Sequence, residues 1–291
     1  TSSPLETEGS KRWNQSTRWT HPQSDVCVML TGEDEKQAFV ANSGAKILAP
    51  ECEIHVKSEA NPAAIFNADS HLWIAKTCVE GTNVILNGGP VPSLEAGCET
   101  MQDPYALKIR ALRRLIHKKK LHKCDYENYQ PKDGKKFIVM EPGVYCGWTN
   151  FNANRGVILK PGIYVIRDGG WNVNSGVKFI GRGVTFYFHD SSIIQFNANV
   201  KVLLQAPKSG PWKGVLMYER HNLEPSNLSI NGDGKLPTIL EGLIYLPSRN
   251  AMFNSDNVKG PNRAGMVFNT LIMNETFWVI KPLYEPKGPP L

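Results

Sequence analysis

Two short polar clusters contain the residue types that cleave polysaccharides. His189 and Asp190 follow one apolar run, and Glu219, Arg220 and His221 follow another. Enzymes that act on polysaccharides place paired carboxylates or basic residues on one face of the fold, where they serve as acid, base or nucleophile. If the chain is an enzyme, we therefore expect Asp190, Glu219, Arg220 and His221 to be catalytic. No motif sets their geometry, and charged residues at strand ends are ordinarily solvated turns, so we favour a non-enzymatic protein.

A basic segment is the second candidate site. Residues 108–123 hold eight Lys and Arg and no acid, and without these eight the formal charge of +6 becomes −2. Such a segment is most often a solvated face, but it also suits an anionic lipid surface or an acidic polysaccharide. Nucleic acid is the partner that we expect least. The residues assigned to an anionic surface or glycan are Arg110, Arg113, Arg114, Lys118, Lys119 and Lys120.

Metal and cofactor motifs are absent from the sequence. The seven histidines show neither an HxH nor an HExxH spacing, and no CxxC pair occurs. Neither a phosphate loop nor a dinucleotide fingerprint is present. We therefore expect no metal and no cofactor.

Six cysteines lie in the first half of the chain at gaps of 20 to 26 residues. Their even number and regular spacing predict disulfides that join successive coils in an oxidising compartment, with buried free thiols as the alternative. Six cysteines allow 15 pairings, and the sequence does not choose among them. The residues are Cys27, Cys52, Cys78, Cys98, Cys124 and Cys146.

The cysteine spacing matches a repeat that runs along the chain. Units of the type apolar-Asn-x-Asn recur, with 20 residues from Asn152 to Asn172 and 25 from Asn172 to Asn197. Short β-rich runs follow each unit, so the sequence predicts an all-β fold, a right-handed parallel β-helix. Asn suits tight corners and can form ladders of stacked side chains. The aromatic residues expected to stack inside are Phe39, Phe66, Phe151, Trp171, Phe196 and Phe253.

The basic segment coincides with one predicted α-helix, roughly residues 104–122, inserted into the β-helix. Asp103 and Pro104 are suited to its N-terminus, and residues 81–100, rich in Gly and Pro, break the repeat before it. The predicted apolar face of the helix consists of Leu107, Ala111, Leu112, Leu115 and Ile116.

These patterns divide the chain into a flexible N-terminal arm (1–24), a β-helix domain (25–280, with the basic helix inserted at 103–123) and a Pro-rich tail (281–291). Each end of a solenoid must be capped, and the arm, the helix and the tail are the candidates. An uncapped end would favour an oligomer. No apolar run is long enough to span a membrane, and the start at Thr1 fits a targeting or membrane segment that lies upstream.

Several turn and strand motifs occur in a characteristic order. They are Ser43-Gly44-Ala45, Pro142-Gly143-Val144-Tyr145-Cys146-Gly147, Pro161-Gly162-Ile163-Tyr164-Val165-Ile166, Gly183-Val184-Thr185-Phe186-Tyr187-Phe188 and Gly242-Leu243-Ile244-Tyr245-Leu246-Pro247. This order resembles the repeat region of TadG-like proteins of the tight-adherence (Flp) pilus system. The resemblance covers about residues 26–280 and implies an extracytoplasmic location, periplasmic or at the cell surface, and protein partners in a surface assembly.

The sequence therefore predicts a non-enzymatic, extracytoplasmic structural or adhesive protein that acts through protein or surface contacts. The alternative is a β-helix that binds or cleaves polysaccharides, as a lyase or hydrolase. A groove lined by aromatic and acidic residues would favour the alternative, whereas a smooth flank would favour an assembly component.

Overall fold

The computed structural model describes residues 25–88, 91, 93–132, 134–152, 155–231, 238–254 and 258–283. These residues form a parallel β-solenoid of about ten turns with one short helix. The predicted all-β, parallel β-helix architecture is thus confirmed. The N-terminal arm 1–24 and tail residues 284–291 lie outside the described residues, so the predictions made for them stay predictions.

Most strands are short and are separated by corners rather than by long loops. One helix, α1 (Ala106–His117), interrupts their sequence between β7 and β8. The strands are β1 Asp25–Leu30, β2 Phe39–Ala41, β3 Ala45–Val56, β4 Ala64–Phe66, β5 His71–Val79, β6 Val84–Leu86, β7 Leu94–Ala96, β8 Tyr126–Glu127, β9 Phe137–Met140, β10 Gly143–Phe151, β11 Gly156–Leu159, β12 Gly162–Val173, β13 Lys178–Arg182, β14 Val184–Phe188, β15 Ile193–Phe196, β16 Lys201–Gln205, β17 Val215–Glu219, β18 Ser226–Asn231, β19 Thr238–Asn254, β20 Val258–Met273 and β21 Thr276–Lys281.

One column of paired residues passes through the turns from β10 to β7 and gives their order in space; β8 and β9 form a further coil beyond β10 and β11. The pairs are parallel throughout. Along the stack the column reads Val144, Val165, Tyr187, Tyr218, Tyr245, Val267, Met29, His55, Cys78 and Glu95.

The spatial order of the coils differs from their order in the chain. After Val267 in β20 the column continues with Met29 in β1, so the N-terminal coils stack on the C-terminal coils. Strands β2 and β21 complete this seam by pairing with β20 and β3 respectively. The first described strand, β1, therefore lies in the middle of the solenoid, and the following coils extend the stack to one end at β7. Helix α1 then runs along the flank, and β8 begins the coils at the opposite end. The later coils stack back toward β1, where β20 pairs with it.

The interior matches the predicted aromatic stack. All six aromatic residues named from the repeat are at most 1% exposed. Phe39 packs edge-on against Phe66, and Phe151 packs edge-on against Trp171. Such edge-to-face pairs add to the stabilisation from burial alone.

The predicted asparagine ladder is present at the corners. Its side-chain amides donate from each residue to the next, and it crosses the seam where Asn42 Nδ2 donates to Asn274 Oδ1 at 2.7 Å. The described part of the ladder runs Asn87, Asn67, Asn42, Asn274, Asn254, Asn231, with Asn197, Asn174 and Asn152 continuing the pattern in a second run. The structural role predicted for these residues is confirmed.

All six cysteines form disulfides between neighbouring coils. The pairs are Cys27–Cys52, Cys78–Cys98 and Cys124–Cys146. The last two bonds lie at opposite ends of the stack, where a coil has a neighbour on one side only. Three disulfides indicate an oxidising, extracytoplasmic environment. Among the described residues, α1 is neither long nor apolar enough to cross a membrane.

The helix differs from its prediction in extent and in its buried face. It begins at Ala106 without a side-chain cap; Asp103 accepts hydrogen bonds from the Tyr105 amide and the Tyr245 hydroxyl instead. Ile109 is buried, whereas Leu107 is 78% exposed. The sequence offers two apolar stripes at helical spacing, and only the partner surface selects between them. The buried stripe is Ile109, Leu112 and Ile116, so Ala111 also faces solvent.

The position of α1 also corrects the idea that it caps an end. It lies along the flank, and its buried stripe packs on the outward-facing column that includes Val144, Val165, Tyr187 and Tyr218. Twelve helical residues rise roughly 18 Å, which matches four coil spacings of about 4.8 Å. One turn of helix therefore meets about one coil.

Residues 81–100 continue the solenoid, contrary to the predicted break. Strands β6 and β7 each consist of three residues and pair with β4 and β5. In a coil whose strands have only three residues, most residues belong to the corners. The composition of such a coil, rich in Gly and Pro, therefore resembles that of a loop.

Candidate anion-binding site

A groove of about 520 Å³ lies where the C-terminal end of α1 meets the flank of the solenoid. Tyr187 and Tyr218 form its floor, and the segment from the last helical turns to residue 122 forms one wall. Residues that follow β14 and β17 form the other wall. The lining residues are Arg113, Ile116, His117, Lys119, Leu121, His122, Tyr187, His189, Tyr218, Arg220 and His221.

The return of the chain to the solenoid shapes the helical wall. After His117 the chain leaves the helix, Leu121 packs against the flank, and Cys124 forms its disulfide with Cys146 in β10. The Leu121 carbonyl accepts a hydrogen bond from Arg167, which follows the buried part of β12. Lys119 and His122 are thereby held beside the groove instead of extending along a longer helix.

The lining is entirely cationic or neutral. Three of its residues are Lys or Arg, four are His, and none is Asp or Glu. Arg113 hydrogen-bonds the Tyr218 hydroxyl and donates from Nη2 to His221 Nδ1 at 3.0 Å. Two buried nitrogens on the lining, Arg113 Nε and His189 Nδ1, have no hydrogen-bond partner among the described residues.

Two of the histidines are kept in the neutral form by their surroundings. Burial lowers the pKa of His189, and the charges of Arg167 and Arg220 lower it further. Burial and the charge of Arg113 lower the pKa of His221. A negatively charged ligand would oppose these effects because it favours the protonated imidazolium.

Asp190, a candidate catalytic residue, is engaged in a turn. Its carboxylate accepts hydrogen bonds from the Ser192 amide, the Ser192 hydroxyl and the Asp168 amide. Burial alone would raise the pKa of the Asp190 carboxyl, but these hydrogen bonds outweigh burial and hold the pKa below its usual value. A carboxyl that stays ionised is poorly suited to act as a general acid near neutral pH.

Glu219, the other candidate carboxylate, points into the interior and is 2% exposed. Its two oxygens accept hydrogen bonds from Arg249 Nε at 2.9 Å and from the Ser248 amide at 2.7 Å. A substrate in the groove would not reach this buried carboxylate. The structure therefore brings Arg220 and His221 into the groove but not Asp190 or Glu219.

The six predicted binding residues are also divided. Arg113 and Lys119 line the groove, whereas Arg110, Arg114, Lys118 and Lys120 are exposed on α1 and the residues after it and do not line it. Sequence reasoning missed His117, His122, Tyr187 and Tyr218 as groove residues, and it named His189 only as part of a polar cluster, without assigning it a role. His117 and His122 adjoin the basic cluster and could have been included, but nothing in the sequence links that cluster to residues 187–221.

Among the described residues, no group of three His, Cys, Asp or Glu side chains is arranged to hold a metal ion. The groove is suited to binding an anion through Arg, Lys and protonated His side chains. Comparisons of the chain with protein-family models, with curated proteins and with solved structures gave no match.

Proposed function

We propose that this chain is a non-enzymatic, extracytoplasmic structural or adhesive protein that holds acidic polymers at a surface through its basic flank. The main support is the position of α1. Its apolar stripe is fixed on the solenoid, so four of the six predicted binding residues face solvent away from the groove and the other two line it. The resemblance of the turn motifs to TadG-like proteins agrees with such a role.

A structural role also agrees with the rigidity of the scaffold. Disulfides bind both end coils to their neighbours, and the asparagine ladder and the aromatic interior connect the coils between them. A rigid rod with a charged stripe along one side can hold a long polymer at several points, and multiple weak contacts then add to a strong attachment.

Cleavage is not part of the proposal because the two candidate carboxylates are occupied. Glu219 is paired with Arg249 inside the solenoid, and Asp190 accepts three hydrogen bonds from a turn. Binding of polysaccharide without cleavage remains within the proposal, and the histidine-lined and tyrosine-lined groove favours it over binding of lipid.

The test is binding of the full chain to immobilised dextran sulfate and polygalacturonate, and to vesicles that contain anionic lipid. Replacing Arg110, Arg114, Lys118 and Lys120 by Ser should weaken polysaccharide binding by about tenfold or more, since each lost charge contact contributes to attachment. The matched control removes four exposed charges elsewhere, Lys36, Lys178, Arg182 and Lys208. Equal binding by both variants, or turnover of either polysaccharide, would contradict the proposal.

A further inference from the structure

The groove has properties of a specific site rather than of a general charged surface. Its volume of about 520 Å³ lies in the range of pockets that hold small organic ligands. A single sulfate or carboxylate would fill only a small part of it, since one water molecule occupies about 30 Å³. The groove is therefore large enough for a sugar unit that carries an anionic group.

The carboxylates near the groove are engaged by other partners. Glu219 is paired with Arg249, Asp168 with Arg167, and Asp190 with turn amides and Ser192. None of them lines the groove, so the charges of Arg113, Lys119 and Arg220 are not balanced there.

Two buried side-chain nitrogens that lie beside the groove lack a hydrogen-bond partner within the described part of the chain. Buried polar atoms in native proteins almost always have a hydrogen-bond partner, and exceptions call for an explanation. Arg113 Nε and His189 Nδ1 have none among the described residues, although both side chains line the groove. Neither atom is open to solvent, so an oxyanion in the groove would reach them only after a small shift of the two side chains. It would then accept from Arg113 Nε and from the protonated His189 ring.

We propose that this groove is an oxyanion site that receives the sulfate ester or carboxylate of an acidic sugar between Arg113, His189 and Arg220. This inference rests on the proposed function and specifies the ligand class of its binding surface. His117, Lys119 and His122 lie on the same helical wall as Arg113, across the groove from His189 and Arg220. The exposed basic residues of α1 and of the segment after it guide the rest of the polymer. Binding draws protons onto the neutral groove histidines, so it strengthens as the pH falls.

The surroundings of His189 set the starting point of this pH dependence. Burial disfavours the protonated ring most, Arg167 and Arg220 disfavour it further, and Asp190 and Asp168 favour it, so the pKa of His189 lies below its usual value. An oxyanion adds a further favourable charge, so it raises the pKa of His189 when it binds. For each proton taken up on binding, the affinity for the oxyanion can increase by up to about tenfold for each unit by which the pH falls across the titration.

The experiment is calorimetric titration of the full chain with dextran sulfate oligosaccharides, oligogalacturonate and inorganic sulfate between about pH 8 and about pH 5.5, the range where His titrates. We expect oligosaccharide affinity to rise as the pH falls. Replacing His189 and Arg220 by Gln should reduce affinity at the lower pH by about tenfold to a hundredfold, because hydrogen bonds between charged groups are lost. The control changes His71 and Arg182, both exposed, to Gln.

A second measurement uses the unaltered protein and therefore does not depend on variants that fold. The NMR titration of the His189 ring should move to higher pH when the oligosaccharide is present. Unchanged titration together with unchanged binding by the groove variant would overturn the site. Binding of inorganic sulfate as tightly as of the oligosaccharides would overturn the assignment to a sugar.

The outcomes also separate this site from the proposed function. The flank variant is the one in which Ser replaces Arg110, Arg114, Lys118 and Lys120. Loss of binding in this variant with an unchanged His189 titration supports the basic flank and rejects the groove. A shifted His189 titration with no contribution from α1 supports the groove and rejects the flank as the attachment surface.

Discussion

Arg249 enters the interior of the solenoid from β19 and is 1% exposed. It pairs with Glu219 of the neighbouring coil and donates from its two terminal nitrogens to the carbonyls of Asp190, Ser191 and Ser192, one coil further along the stack. The guanidinium lies 5.6 Å from the centre of the Phe188 ring. One side chain thereby links three coils and holds the turn that carries His189 and Asp190.

Replacing Arg249 by Met should reduce the free energy of unfolding by about 3–5 kcal/mol, because the buried Glu219 would lose its partner. The control is Lys160→Met, which removes an ion pair with Glu141 in which both side chains are about half exposed; such a pair contributes about 0–1 kcal/mol. Urea unfolding monitored by circular dichroism measures both. Similar losses in the two variants would show that Arg249 does not link the coils as described.

The asparagine ladder gives a second prediction at the scale of residues. Asn274 donates to Asn254 at 2.6 Å and accepts from Asn42 across the seam. Changing Asn274 to Ala should lower the free energy of unfolding by about 1–3 kcal/mol, since Asn42 and Asn254 each lose a hydrogen-bond partner. Asn87, at the exposed end of the ladder, serves as the control and should cost less than half as much in the same unfolding experiment. A larger loss at Asn87 would contradict the ladder as a source of stability.

Helix α1 and the column of tyrosines beneath it act as one unit. Burial raises the pKa of Tyr187, Tyr218 and Tyr245. The Tyr245 hydroxyl also donates to Asp103 just before the helix, which raises its pKa further. Burial also raises the pKa of Tyr145 and Tyr164, which lie in the interior of the solenoid. Ionisation of these hydroxyls therefore opposes folding.

The protein should lose stability at alkaline pH. The folded state holds these protons more tightly than the unfolded chain, whose tyrosines titrate near pH 10. The stabilisation is therefore complete below about pH 10 and is lost as the pH rises above it. Tyrosinate absorbance, recorded together with circular dichroism, should show five of the nine tyrosines ionising only as the chain unfolds.

Tyr187→Phe provides the matched variant for this titration. It keeps the packing under α1 and removes one ionisable group, so its alkaline unfolding midpoint should lie at higher pH than that of the unaltered protein. If all nine tyrosines ionised while the circular dichroism stayed native, the coupling between the helix and the tyrosine column would be wrong.

For the molecule as a whole, the repeat spacing predicted the coil, the inward aromatics and the asparagine corners because these depend on contacts between neighbouring turns. It did not predict which turns are neighbours at the seam. Asn42 and Asn274 are 232 residues apart in the chain, and stacked coils look alike in sequence. Even neighbouring copies of a motif are not paired in register. Pro142-Gly143 and Pro161-Gly162 are 19 residues apart in the chain, yet Gly143 pairs with Tyr164 and not with Gly162.

The groove was not predictable for the same reason. Its two walls come from residues 113–122 and 187–221, and only the path of the connection between the end coils brings them together. That path runs from Cys98 at one end of the stack to Cys124 at the other. Sequence spacing shows a basic helix, but it does not show that the length of α1 matches about four coil spacings.

The seam predicts that the two blocks of coils hold together without a continuous chain. A protease site introduced at residues 99–102 would separate the N-terminal coils from the helix and the remaining coils. No disulfide joins the two parts, because each of the three bonds lies within one of them. After cleavage, the two fragments should still elute together in gel filtration and should separate in denaturant without any reductant.

Leu30 and Phe268 provide the control for this experiment, since they pair across the seam and are fully buried. Changing both to Asp places two unpaired charges in the interior, so the cleaved fragments of that variant should separate in native buffer. If the fragments of the unaltered sequence also separated, pairing across the seam would be too weak to join the blocks. The connection through α1 would then be what keeps the solenoid continuous.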